Sequence, residues 1–176
     1  MMLEASAAGS KTVVGYEANG GFLLNSDVTL DGKRLRALPT RDAVIVMLGI
    51  LITAKQRSKT VSELVAELPA RFTASDRLKD FPTGKSRAIL ATFSKGEDAT
   101  DRTAIEEVFS PLCGKVMSID RTDGLRVTFA NEEIIHLRPS GNAPEFRCYT
   151  EAASNDRAVS LNGLVLQELR KLADAR

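Results

Sequence analysis

The spacing of apolar positions changes several times along this chain, and each change marks an element. Residues 12–16 read as a strand, Glu17-Ala18-Asn19-Gly20-Gly21 as a turn in which φ > 0 is cheap, and residues 22–24 as a second strand. Pro39-Thr40 then offers an N-cap, with Asp42 in the first turn of a helix over 43–55. That helix is apolar nearly all round, so it is expected to be buried on most sides. Two strands and one helix are thin for an independent core. A polar stretch, 56–59, precedes the capping box Thr60-x-x-Glu63, whose helix carries Leu64, Val65 and Leu68 before Pro69 stops it. The predicted domain boundary therefore lies between residues 58 and 59.

Beyond it, a helix over about 85–94 places Ile89, Leu90 and Phe93 on one face, and Thr103-x-x-Glu106 predicts the start of a short helix bearing Ile105, Val108 and Phe109. The period then drops to two. Residues 116–119, 125–129, 134–138 and 146–151 read as strands, with turns at Asp123-Gly124 and Asn131-Glu132. Ser154-Asn155-Asp156 caps a last helix with Ala158, Leu161, Val165, Leu169 and Leu172 on one stripe. Helix, strands, helix predicts an α+β domain, an antiparallel sheet with helices on one face.

Composition narrows the function classes. The 176 residues carry 24 Lys+Arg against 23 Asp+Glu, a formal charge of +1, with 5% aromatics and no Trp. A dedicated nucleic-acid binder would show a basic surplus or a basic stripe interleaved with aromatics, so no nucleic-acid partner is expected. The longest apolar run, 43–52, is far short of the roughly 20 residues that span a bilayer. No signal-peptide n-region precedes it, so a soluble cytoplasmic protein without a membrane partner is expected. Two cysteines and one histidine make neither a disulfide scaffold nor a zinc site.

Two loops could carry chemistry. In Arg138-Pro139-Ser140-Gly141-Asn142-Ala143-Pro144-Glu145-Phe146-Arg147, small turn-forming residues join two strands, with an arginine at each shoulder. Ser140 and Asn142 offer donors, Gly141 lets the backbone approach a ligand, and either arginine can fork onto a phosphate. The same residues also make an ordinary hairpin loop with two solvated arginines. In the loop after Gly15, Glu17 and Asn19 can accept from and donate to vicinal hydroxyls; a plain glycine-rich hairpin is the alternative. Other features carry less. Gly84-Lys85-Ser86 lacks the upstream glycine of a P-loop, Lys79 standing there. Asp27 and Asp31 are too sparse to chelate Mg²⁺. His136, Cys113 and Cys148 read as structural residues.

At the two loops the sequence resembles the α-D-phosphohexomutases, and within them the bacterial phosphomannomutase branch. Residues 138–152 resemble that family's C-terminal phosphate-binding loop, residues 15–23 its sugar-binding loop, and their order and separation match. Asp123-Gly124-Leu125-Arg126-Val127 and Phe72-Thr73-Ala74-Ser75-Asp76-Arg77 read like the family's connecting text. The resemblance implies a TBP-like fourth domain, preceded by the β-β-α tail of an α/β third domain, here the C-terminal portion only. It also implies membership of an isomerase of carbohydrate metabolism, an intramolecular phosphotransferase. Such an enzyme interconverts mannose 6-phosphate and mannose 1-phosphate through a phosphoserine, with Mg²⁺ as cofactor and a hexose bisphosphate as intermediate and activator.

Carried over residue by residue, Glu17 and Asn19 match the hydroxyl-contacting positions. Arg138, Ser140, Gly141 and Asn142 match the phosphate clamp, and Arg147 the downstream arginine. Asn142 stands where threonine is common, Ala143 where glutamate is common, and Gly21 where many relatives have histidine. Thr73-Ala74-Ser75 is followed by Asp76 rather than His-Asn-Pro, and no Asp-x-Asp-x-Asp loop occurs. No catalytic residue and no metal site are thus expected in this chain, which alone should be inactive. Its expected partners are a hexose phosphate, the N-terminal domains of the same enzyme, and a second copy through the third-domain tail. A free-standing phosphosugar-binding or interaction module derived from such an enzyme is the alternative.

Overall fold

The structure is a computed structural model that describes residues 2–16, 21–38 and 40–175. It divides into two compact units, Met1–Pro69 and Ala70–Arg176.

In the first unit α1 (Met2–Ala7) precedes two antiparallel hairpins, β1 (Val14–Tyr16) with β2 (Phe22–Leu24) and β3 (Val28–Leu30) with β4 (Lys33–Leu35). The second hairpin turns at Asp31-Gly32, both at positive φ (50° and 74°), as a type I′ turn requires. Three-residue strands leave too little periodic text for the sequence alone to reveal this hairpin. Asp27 accepts from the Ala37 amide at 2.7 Å and from Arg34, so it fastens this segment.

Helix α2 (Ala43–Gln56) is capped by Asp42 rather than by Thr40. The Asp42 carboxylate accepts from Val44 N at 2.9 Å and Ile45 N at 3.2 Å, the N-cap geometry that satisfies first-turn donors. The helix is not buried on most sides: Val44, Met47 and Leu51 are 62%, 61% and 58% exposed, and Ala54 alone on it is buried. Hairpins of three-residue strands offer too little apolar area to cover all faces of such a helix. The predicted capping box is complete on α3 (Val61–Ala66), Thr60 and Glu63 each receiving the other's backbone N–H. Glu67 binds both Arg57 and Lys59. These pairs fasten α3 to the end of α2, and the division between the two compact units falls after Pro69.

In the second unit β5 (Phe72–Leu78) leads into α4 (Thr83–Phe93) and α5 (Asp98–Cys113). The strands β6 (Val116–Asp120), β7 (Leu125–Phe129), β8 (Ile134–Pro139) and β9 (Phe146–Ala152) follow, and α6 (Asn155–Asp174) ends the chain. One antiparallel five-stranded sheet forms in the order β5-β9-β8-β7-β6. Burial alternates strictly along β7 and β9. Leu125, Val127, Phe129, Leu137, Phe146 and Cys148 join the core with Ile89 and Phe93 of α4, Phe109 of α5 and Leu161, Val165 and Leu169 of α6. All three helices thus pack on one face, and the fold is the α+β architecture predicted. Strand β5 lacks apolar alternation, so the sequence alone did not reveal it; it pairs with β9 over its whole length, Phe72 opposite Ala152 to Leu78 opposite Phe146.

Helix α5 starts five residues before the predicted box. Thr103 lies inside it, its hydroxyl donating to Ala99 O at 3.0 Å, and Glu106 accepts from Val116 N at 2.7 Å, across to β6. The group organising the helix start is Asp101. Fully buried, it accepts from Lys95 N at 2.6 Å and Gly96 N at 3.2 Å and pairs with Arg121 at 2.7 Å. Burial by itself would raise its pKa, yet these donors hold its carboxyl below the ordinary carboxylate value. Arg157 of α6 likewise lowers Glu133, which precedes β8, at 2.5 Å, and also donates to Leu112 O at 2.6 Å. Buried Asn162 knits α6 to the sheet, donating to Cys148 O at 3.0 Å, Thr150 Oγ1 at 3.3 Å and Ala74 O at 3.4 Å. Burial pushes both thiols, Cys113 and Cys148, up to about 12, so they remain unreactive packing groups.

The depressed carboxyls set the acid limit of this unit. A carboxyl whose folded pKa lies below its unfolded value contributes stability in full above the unfolded value, about 4. That contribution is lost as pH falls through the folded value, because the unfolded chain takes up the proton first. Asp101→Asn should therefore destabilise by about 1–3 kcal/mol near neutrality, as Arg121 loses its buried partner, and the gap to wild type should narrow below about pH 4. Urea midpoints at pH 3, 5 and 7 check this.

Candidate functional site

Strands β8 and β9 are joined by the segment from Ser140 to Glu145, and the register fixes what stands beside it. Arg138 is directly opposite Arg147, and Pro139 opposite Phe146. Phe146 is fully buried, so the period-two alternation turns Arg147 to the other face, away from the helices. Arg138 shares that face because opposed residues of an antiparallel pair do. The loop closes on itself: Ser140 N donates to Glu145 O at 2.9 Å, Glu145 N to Ala143 O at 2.8 Å, and Asn142 N to Ser140 Oγ at 3.4 Å. Phe81 N reaches across to Pro144 O at 2.7 Å. Ser140 is buried, while Gly141 and Asn142 are exposed. A bound anion would thus meet a braced turn with its tip open to solvent.

The turn between β7 and β6 supports the Arg138 shoulder. Asp123 pairs with Arg138 at 3.1 Å, and its carbonyl oxygen lies 2.6 Å from His136 Nε2. Gly124 has φ 86°, and a Cβ there would press on the carbonyl oxygen of Leu137, so only glycine fits beside this strand end. His136 stacks on Tyr149 with ring centroids 5.6 Å apart, consistent with a structural histidine.

The five residues expected to form a phosphate clamp, Arg138, Ser140, Gly141, Asn142 and Arg147, are gathered on one strand-loop-strand unit. Glu17 and Asn19, expected to contact sugar hydroxyls, lie outside the described residues. Sequence reasoning missed the neighbours. Beside Arg147 lies an open depression of about 280 Å³ lined by Ser75, Asp76, Arg77, Glu145, Arg147 and Tyr149. Its available signal was Thr73-x-Ser75-x-Arg77, a polar period of two in text that carried no apolar alternation. Gly84-Lys85-Ser86 is no phosphate cradle: Ser86 is buried in α4, its hydroxyl donating to Pro82 O at 3.4 Å. Among the described residues no group of three or more His, Cys, Asp or Glu side chains could hold a metal ion, so these residues do not fit Mg²⁺.

Comparison with known proteins bears on the chain as a whole. A phosphomannomutase of Salmonella muenchen is 42% identical over 164 residues, which cover 93% of this chain and 33% of that protein. A second, from Sinorhizobium fredii, is 41% identical over 160 residues, 91% of this chain and 32% of that one. The chain is a homologue of the bacterial phosphomannomutases. It spans about one third of the length of these relatives. The crystal structure of a phosphoglucomutase/phosphomannomutase family protein from Burkholderia thailandensis matches 97% of this chain and 30% of its own, with a TM-score of 0.57. At 16% identity that likeness shows the shared phosphohexomutase-type fold. No protein-family profile matches the chain.

If the turn and its arginines form an anion site, inorganic phosphate should bind there at millimolar concentration, roughly 4 kcal/mol, since an exposed loop screens its charges. Backbone amide shifts should cluster at 138–147 and vanish with Arg138→Ala. Shifts that cluster around Gly84 instead, or that survive Arg138→Ala, would contradict the assignment.

Proposed function

We propose that this chain is the C-terminal, phosphosugar-binding portion of a phosphomannomutase, the enzyme that interconverts mannose 6-phosphate and mannose 1-phosphate. The observation that carries the reading is the Arg138–Arg147 cross-strand pair flanking the Ser140-Gly141-Asn142 turn, in a chain 42% identical to one such enzyme. Residues 1–58 are then the tail of the sugar-binding domain, with Glu17 and Asn19 on substrate hydroxyls, and residues 59–176 the phosphate-binding domain.

The clamp's role follows from the reaction. Either phosphate end of the sugar must reach the phosphoserine in turn, so a fixed site is needed for the distal phosphate. Arg138 and Arg147 supply charge and bidentate donors, the Ser140–Asn142 turn supplies N–H groups, and binding energy spent there positions the reacting end. The nucleophile and Mg²⁺ belong to parts of the enzyme outside this chain, and no chemical step is assigned to its residues. Its other partners are those parts of the enzyme, with a second copy as a further occupant of the exposed α2 face. A cytoplasmic location fits a soluble sugar phosphate, and no helix among the described residues is long and apolar enough to cross a membrane.

The purified chain should show no turnover of mannose 1-phosphate with Mg²⁺ and a hexose bisphosphate. Mannose 6-phosphate should nonetheless bind more tightly than inorganic phosphate, and Glu17→Ala should remove only that difference. Turnover above a blank that is lost in Ser75→Ala, or equal affinity for the two ligands in wild type, would count against the proposal.

A further inference from the structure

The sheet register sets a third arginine in line with the clamp. Arg77 of β5 is directly opposite Arg147 of β9, which is directly opposite Arg138 of β8. Three guanidinium side chains therefore stand side by side on one face, on strands about 4.8 Å apart. Like charges directly opposite one another destabilise a sheet, so such a row persists only with anions between its members. The chain supplies two. Asp123 pairs with Arg138 at 3.1 Å. Glu145 stands between the other two, one oxygen accepting from Arg77 Nε at 3.0 Å and the other lying 3.6 Å from Arg147 Nε.

Both contacts use the Nε edge. The side chains of Arg77 and Arg147 remain 44% and 38% exposed, at the depression they share with Ser75 and Tyr149. Glu145 is a monoanion that touches each arginine through one oxygen. A phosphate monoester carries more charge and three acceptor oxygens, so it can serve both forks bidentately. Its exchange for Glu145 takes place at partly exposed side chains beside an open depression, where an ion pair is worth little.

We propose that Glu145 is an internal counter-anion for Arg77 and Arg147, displaced when a phosphate monoester binds, and that Arg77 is a further phosphate-binding residue beside the clamp. This rests on the reading of the 138–147 loop as a phosphate site and extends it onto β5. Release of Glu145 is local, because its backbone stays bonded to Ser140 N and Ala143 O. Its side chain can swing out while the turn keeps its shape.

The test titrates the full chain with inorganic phosphate and with mannose 6-phosphate, following the backbone amides of 138–147 and the Nε–H signals of arginine. Glu145→Gln should bind phosphate about threefold to fivefold more tightly than wild type, the affinity equivalent of one exposed ion pair no longer competing. Arg77→Gln should weaken binding by a similar factor while the amides of Ser140–Asn142 still shift. In wild type, the Nε–H signals of Arg77 and Arg147 should move together with those amides. If Glu145→Gln binds no more tightly, or the Arg77 Nε–H signal stays still while the loop amides move, this inference fails and the clamp stands. If neither set moves at millimolar phosphate in either protein, the clamp reading fails with it. Should Glu145→Gln fold poorly, Arg77→Lys replaces it: the planar fork is lost and the charge kept, so phosphate affinity should fall, and unchanged affinity would overturn the proposal.

Discussion

The second unit depends on the one-sidedness of its sheet. Along β7 and β9 alternate residues are buried, and they meet α4, α5 and α6 in one apolar cluster. Alternation is strict in a pleated strand, so a set of side chains committed to the core leaves the intervening set on the open face. Arg147 lies between buried Phe146 and Cys148, and neither neighbour can leave the core to release it. Asn162 fixes α6 against β9 and β5 by donating to groups on both strands, so the sheet cannot slip beneath the helix without orphaning buried polar atoms. The arginine row is thus a by-product of a well-determined core, which fixes its backbone positions and the face it occupies.

This division explains why a loop flanked by two arginines can sit at a sheet end without destabilising the fold. The charged positions cost the core nothing, and their mutual repulsion is met by carboxylates from the same unit, Asp123 and Glu145. The turn is braced by its own amides and carbonyls and by the Phe81 amide, all within the same unit. The first unit is different in kind. Its strands are three residues long, and α2 leaves Val44, Met47 and Leu51 in water, an apolar surface suited to covering by further protein.

Much of this was legible in the sequence, for identifiable reasons. Strands β7, β8 and β9 combine period-two apolar text with clear turn residues, and their predicted bounds agree with the structure to within a residue at each end. Ser154 caps α6 as predicted, through Arg157 N. The loop from Arg138 to Arg147 stood out because residues fit for a phosphate and residues fit for a tight turn coincide there. What escaped did so because its information is non-local. Strand β5 has a polar period and is held by pairing with β9, 68 positions away where Leu78 meets Phe146. The true start of α5 depends on Asp101 reaching back to Lys95 and Gly96 and across to Arg121, whereas Thr103-x-x-Glu106 carries the right letters for a cap inside a helix. Arg77 and Glu145 acquire meaning only when the register sets them beside Arg147.

The open face of this sheet, at the β8–β9 turn, is proposed to hold the phosphate of a sugar phosphate. A crystal structure of the chain with mannose 6-phosphate tests it most directly. The phosphate should lie within hydrogen-bonding distance of the Ser140–Asn142 turn and the Arg138 guanidinium, on the face opposite α4, α5 and α6. A phosphate seated elsewhere, with that turn empty and Arg138 still paired to Asp123, would contradict it.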